Sequence, residues 1–236
     1  LMRALGSHKI DHRLREQDFS DDQSRARAPE FQMKIAELEK ADAVLLLGCN
    51  PRHEAPILGH RLRKAWLKGA SISALNPLAW EFIFDLKQSL VVAPQNMLAE
   101  LSGIASAVAR ITSVAAPAHQ AGLLENAKSD EQAEQIAQQL VDADKSVLLL
   151  GQFAMSHHQA GALRELARWI ASASGSALNL LPHGANSHGA WLAGSVPHRG
   201  PGGITSGAKG NAASFLRESG QRWLLWDIEP EYDIDN

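Results

Sequence analysis

Gly48-Cys49-Asn50-Pro51 follows a short apolar run and precedes a helical pattern. Open α/β sheets bind ligands at such strand ends, where the strand order reverses. A glycine there lets a ligand approach the backbone closely, and the following helix N-terminus suits a phosphate. The bland alternative is a tight turn with Pro51 starting the helix. The dinucleotide fingerprint Gly-x-Gly-x-x-Gly is not met, because Asn50 and His53 occupy its second and third glycine positions. Cys49 invites thiolate chemistry, but no partnered His/Asn set accompanies it, and a small buried cysteine is the commoner occupant of a βα turn. The ten histidines include the adjacent His157 and His158, and His183 with His188. Neither pair has the i, i+4 spacing with a carboxylate that a helical zinc site needs. Adjacent residues on a helix point about 100° apart. Gly184-Ala185-Asn186-Ser187-His188-Gly189 fails as a nucleophile elbow, since alanine stands two residues before the serine.

The elements that must position these residues are two βαβ patterns. Ala43-Val44-Leu45-Leu46-Leu47-Gly48 is apolar throughout and predicts a strand buried on both faces. Leu58, Leu62, Ala65 and Trp66 fall on one face of a helix, which ends in Arg63, Lys64 and Lys68 before Gly69. Ser71–Leu75 is the next strand, closed by Asn76-Pro77. The two strands start 28 residues apart, the length of a βαβ unit. The pattern recurs in Ser146–Leu150, a helix over His158–Ser174 with Leu163, Leu166, Ala167 and Ile170 on its stripe, and Ala177–Leu181. The Val-Leu-Leu-Leu-Gly run occurs at Val44 and at Val147. Two doubly wound lobes account for this as well as duplication does.

Asn96–Ile111 predicts an amphipathic helix and 113–127 a crossing linker. Ser129-Asp130-Glu131-Gln132 has the form of a capping box for a helix through Ile136 and Leu140. Eight glycines lie between 184 and 210, with Pro197 and Pro201; such a stretch is a functional loop or disordered. A short helix around Ala212–Arg217 and a strand over Arg222–Asp227 follow. The expected fold is α/β with two Rossmann-like doubly wound lobes: residues 1–112 with an irregular start, a linker and crossing helix at 113–140, and a second lobe at 141–236. Of the six tryptophans, Trp66, Trp169, Trp223 and Trp226 are expected in the core, and Trp80 and Trp191 at an interface.

The 236 residues carry 23 Lys+Arg against 26 Asp+Glu, a net charge of −3, and the pI is near 6.4. This balance argues against a general nucleic-acid or anionic-membrane footprint. One cysteine excludes an internal disulfide, a four-cysteine zinc site and a self-contained iron–sulfur cluster. No apolar run approaches the length of a membrane span, and the start lacks a signal-peptide core.

Ala41-Asp42-Ala43-Val44-Leu45-Leu46-Leu47-Gly48-Cys49-Asn50-Pro51, a helix, and a strand ending Asn76-Pro77 resemble the molybdopterin oxidoreductase fold (the formate dehydrogenase/DMSO reductase type). Gly6–Phe19, Leu150–His158, Leu181–Gly203 and Trp226–Tyr232 resemble, more narrowly, the large iron–sulfur subunits of bacterial NADH:quinone oxidoreductase, which is respiratory complex I. The most specific runs are Ile10-Asp11-His12-Arg13-Leu14-Arg15, Gly184-Ala185-Asn186-Ser187 and Val196-Pro197-His198-Arg199-Gly200-Pro201-Gly202-Gly203.

The resemblance implies a middle portion of such a subunit, with the 4Fe-4S and 2Fe-2S clusters outside this chain and no cofactor inside it. It implies other complex I subunits as partners, no nucleic acid, no direct membrane insertion, and a place in the peripheral arm on the cytoplasmic side of the inner membrane. Active molybdopterin enzymes resemble Gly-Thr-Asn-Asn-Val-Asp, followed six residues later by a cysteine, selenocysteine or serine on molybdenum. This chain has Gly6-Ser7-His8-Lys9-Ile10-Asp11 and then Gln17, whose neutral amide is a poor ligand there. Gly48, Asn50, Pro51, His158 and Asn186 fall at positions that resemble pterin-contacting loops. The expectation is a degenerate site: fold kept, metal lost, no catalytic residue, the domain serving as a scaffold. The alternative is a pterin- or nucleotide-binding oxidoreductase domain with a pocket still open between the lobes.

Overall fold

The computed structural model describes residues 1–22, 31–181 and 183–229. The chain divides into two compact units, one of residues 29–181 and the other of 1–28 with 182–236.

The larger unit is built on one parallel sheet. Its strands are β1 (Ala43–Leu47), β2 (Ser71–Asn76), β3 (Gln88–Val91), β4 (Ser146–Leu150) and β5 (Ala177–Leu180), in the order β3-β2-β1-β4-β5. β1 and β4 pair directly, Val44 opposite Val147 and Leu47 opposite Leu150. The two Val-Leu-Leu-Leu-Gly runs are therefore neighbours in one sheet rather than the centres of two lobes. Strands apolar on both faces need cover on both faces, and side-by-side pairing lets one set of helices cover both.

Alternation along the strands sorts the core into two layers. Leu45, Leu47, Leu148 and Leu150 pack with α3 (Met97–Thr112), α5 (Glu131–Asp142) and α7 (Ala160–Ser174). Val44, Leu46, Val147 and Leu149 face the other way, onto Leu58 and Leu62 of α2 (Pro56–Leu67) and onto Phe84. The short α1 (Pro51–Glu54) and α6 (Gln152–Met155) stand directly after β1 and β4. The outer edge of β5 is closed by residues 31–32: Phe31 bridges Asn179, and the Gln32 side chain accepts from the Leu178 amide at 2.8 Å.

Several expectations shift locally. The cap of α5 is Asp130, whose carboxylate accepts from Ala133 N at 2.8 Å, one residue after the serine of the expected capping box. The 113–127 linker contains a helix, α4 (Ala118–Glu125). β3 was hidden because Gln88 and Ser89 give it little apolar character at the sheet edge. Arg222–Asp227 forms no strand: it is irregular and exposed, with Trp226 at 83% and Trp223 also exposed, against the expectation of core. Strand propensity needs a partner to be realised, and none is described here. Trp191, expected at an interface, is buried, Trp169 is in the core as expected, and Trp80 and Trp66 are half-buried.

Among its described residues the smaller unit has little regular structure beyond α8 (Ser187–Leu192), α9 (Ala212–Leu216) and single turns. It is held by two arginines from the chain start. One Arg3 nitrogen donates to the carbonyls of Gly194, Val196 and Arg199. The buried Arg13 guanidinium donates to both carboxylate oxygens of Asp11 (2.8 and 2.9 Å) and of Asp22 (2.6 and 3.0 Å). It lies 4.8 Å from the Phe19 ring centroid and 5.6 Å from that of Trp191. Asp11 also accepts from Ala212 N, where α9 begins, and the His198 ring meets Trp191 edge-on at 5.0 Å. Burial works against the Arg13 charge, but the Asp11 and Asp22 carboxylates more than reverse this and hold its pKa above the usual value.

Removing one partner of a buried ion cluster costs about 3–5 kcal/mol, because the others are left uncompensated. Arg13→Met should therefore abolish hydrogen-exchange protection over residues 187–216 while β1 and β4 stay protected. Equal protection in both regions of the variant would contradict the hub assignment.

Candidate functional site

The sheet order reverses between β1 and β4, so the crevice at their carboxyl ends is where a ligand would be sought. The loops 48–51 and 151–152 meet there. Gly48 has φ +52°, and a side chain on it would lie 2.6 Å from the Ala154 nitrogen. A side chain on Gly151 would lie 2.3 Å from Cys49 Cα. The two backbones are in direct contact, and that contact requires both glycines. Gly48 N donates to Leu75 O and Gly151 N to Leu47 O, each at 2.9 Å, and Cys49 N donates to the Asn76 side chain.

Glu54, at the end of α1, turns its carboxylate back into this junction. One oxygen accepts from Asn50 N and the other from Gln152 N at 2.6 Å. The residue sits between the β1 and β4 crossovers and satisfies one backbone donor from each. Those are amides of the kind that cradle a phosphate in related sheet architectures. Burial raises the Glu54 pKa above the ordinary carboxylate value, and the two amides offset part of that rise. The Cys49 thiol is fully buried; burial, and then the charge of Glu54, push its pKa well up. A thiol held neutral in this way is a poor nucleophile.

Gly48, Asn50 and Pro51 stand at the junction as the sequence suggested, Pro51 opening α1. The Asn50 side-chain oxygen is buried and accepts no hydrogen bond among the described residues. His158 belongs to the same unit, exposed between α6 and α7, with its ring 4.2 Å from that of His157. His157 is the buried one of the two. Its Nδ1 accepts from Gln159 N at 3.0 Å, so its Nε2 carries the proton and donates to Pro94 O at 2.9 Å. Asn186 lies in the other unit, exposed at the start of α8 with its side chain over Gly189. Gln17, also in that unit, is exposed. Sequence reasoning missed Glu54 and Gly151. An acid in the first helical turn after Asn50 was a legible sign of the first. The matching glycine after the second Val-Leu-Leu-Leu run was a sign of the second.

Sheet order, crossovers and a switch-point junction define an open, parallel α/β domain. The molybdopterin oxidoreductase family matches residues 1–214, and the chain belongs to that family. The mitochondrial 78 kDa subunit of NADH-ubiquinone oxidoreductase from Neurospora crassa is 39% identical over 57 residues, which are 24% of this chain and 8% of that protein. Among solved structures, the formyltransferase/hydrolase complex of Methylorubrum extorquens, in complex with methylofuran, aligns at a TM-score of 0.51 and 14% identity. The alignment covers 86% of this chain and 56% of that one, and it speaks for the fold alone.

Leaving two buried amides unpaired costs about 1–3 kcal/mol each, so Glu54→Ala should lose stability of that order in denaturant unfolding. The pH dependence has a definite sign. The folded-state pKa of Glu54 lies above its ordinary value of 4.5, so its contribution is complete below that pH and is lost as pH rises through the folded-state value. The stability of wild type relative to Glu54→Gln should fall as pH rises from about 4 towards 7. A difference that grows with pH would show that the amides outweigh burial.

Proposed function

We propose that this chain is part of the large iron–sulfur subunit of a complex I-type NADH:quinone oxidoreductase, acting there as a structural α/β domain without catalysis of its own. The single observation that carries the reading is the Glu54 carboxylate at the switch point, which takes up one backbone donor from each of the loops a dinucleotide phosphate would use. The close approach of Gly48 to Ala154, and of Gly151 to Cys49, brings the two loop backbones together beside that carboxylate. The residues present do not fit a molybdenum pterin either. Gln17 stands where the family pattern has the metal's anionic ligand, it is exposed, and its amide is neutral. Family membership and the 57-residue match support the placement in a complex I-type subunit.

On this reading the iron–sulfur clusters that carry electrons lie outside the chain, which holds no cofactor itself. Its partners are the other subunits of the complex, and its place is the peripheral arm at the cytoplasmic side of the inner membrane. Among the described residues no helix is long and apolar enough to cross a membrane. A second reading, a domain that retains pterin or nucleotide binding, draws on the buried Asn50 oxygen that accepts no hydrogen bond among the described residues.

Metal analysis and thermal unfolding of the purified chain separate the two. The scaffold reading expects no stoichiometric molybdenum or tungsten, and no stabilisation by GDP or a reduced pterin at millimolar concentration. A ligand at a hundred times its Kd stabilises by about 2.7 kcal/mol, a shift that unfolding curves register readily. Either the metal or such a shift would overturn the scaffold and favour the second reading.

A further inference from the structure

The two layers over the sheet are unequal. Three helices, α3, α5 and α7, cover one face; among the described residues α2 is the one long helix on the other. Beside it the β2–β3 connection, residues 77–87, runs without a helix and contributes Phe82 and Phe84, stacked at 5.4 Å, to the same core layer as Leu58 and Leu62. This thin layer carries apolar side chains turned outward: Ile57 is 52% exposed and Leu67 60% on α2, with Leu78 60% on the connection. Ile57 and Leu67 stand near opposite ends of α2, ten residues apart.

The charge of α1 and α2 is one-sided, while the connection beside them carries Glu81 and Asp85 against Lys87. Residues 51–68 hold Arg52, Arg61, Arg63, Lys64 and Lys68 against a single carboxylate, Glu54, which is turned into the switch point, in a chain whose net charge is −3. Glu39 pairs with Arg61 and Lys64 on one flank of the helix. Arg52 and Arg63 are exposed and make no ion pair among the described residues. Apolar anchors interspersed with cations along a helix fit an acidic protein surface. A bilayer suits this face less well, because interfacial helices bury a continuous apolar stripe in lipid. The apolar stripe of α2 (Leu58, Leu62, Ala65) is already in the core.

We propose that the exposed face of α2, with Ile57 and Leu67 as anchors and Arg63 and Lys68 beside them, together with Arg52 of α1, is the docking surface for an acidic partner protein. The inference rests on the complex I reading and gives that partnership a location. The cations steer and orient, while the two apolar side chains, one near each end of α2, hold the contact.

The test follows the tagged full chain in detergent extracts of its own cells on native gels stained for NADH oxidation. Wild type and Leu123→Asp, which alters an exposed site on α4, should migrate with the stained complex. Ile57→Asp with Arg63→Glu should lower the comigrating fraction at least tenfold with unchanged thermal unfolding. Arg63→Glu with Lys68→Glu, which spares the apolar anchors, serves if the first pair fails to fold. Comigration of a folded double variant at the wild-type level overturns the docking surface and leaves the complex I reading standing. Failure of wild type itself to migrate with the complex overturns that reading and the surface with it. Release into a lipid-vesicle fraction of phosphatidylserine and phosphatidylcholine, lost in the double variant, overturns the protein partner in favour of a membrane.

Discussion

The pairing of β1 with β4 is the constraint from which the rest of the larger unit follows. Both are five-residue strands buried at every position, so neither face can meet water and both must be roofed. Lying next to each other and in register, they share one roof of helices above and one below. Their carboxyl ends come together as well, and each ends in a glycine. Gly48 and Gly151 allow the two backbones to touch, and that contact brings Asn50 N and Gln152 N within reach of one carboxylate. Glu54 is thus less an isolated feature of α1 than a consequence of strand order. Only neighbouring strands could place two amides on the same side chain.

The smaller unit depends on a different kind of interaction. Its described residues form no sheet, and its largest buried side chains include Trp191 beside an ionised arginine. A buried charge is tolerated only where its donors are satisfied. Arg13 meets that condition by binding two aspartates from its own segment, and Asp11 then extends the cluster to the start of α9. Arg3 ties the same chain start to three carbonyls in the 194–199 stretch. Two of the three sequence runs most specific to the resemblance, around Arg13 and around His198, are therefore partners in one packing cluster. Their residue types answer to burial, which is reason enough for their presence without assigning them chemistry.

Strand and helix positions were legible in the sequence wherever one periodicity dominated, as in Ala43–Leu47, Ser146–Leu150 and the stripe of α7. Their arrangement was not. A βαβ pattern specifies its own crossover but carries no mark saying whether the next one joins its sheet or starts another, so two lobes and one five-stranded sheet predict the same local signals. The repeated Val-Leu-Leu-Leu-Gly run did contain the answer in its final residue, since the second glycine matters only if the first is beside it. Gly48, Asn50 and Pro51 were legible as a switch-point loop. Their relation to Glu54 was not, because a carboxylate reaching back to its own helix start and across to another depends on tertiary contact. The Arg222–Asp227 segment shows the converse limit. It has strand-forming residues, but pairing decides strand formation, and no paired neighbour is described.

A carboxylate at a switch point differs from a bound phosphate in one respect that bears on function. It is tethered, so its effective concentration at the amides is set by the fold and not by solution conditions. An external anion must displace it, and the displaced Glu54 would remain nearby as a like charge, adding repulsion to competition. An anion site closed in this way resists occupation even when the surrounding fold keeps the shape of a ligand-binding domain. On the framework reading proposed above, the switch-point geometry is kept because Glu54, Gly48 and Gly151 need it for their own contacts.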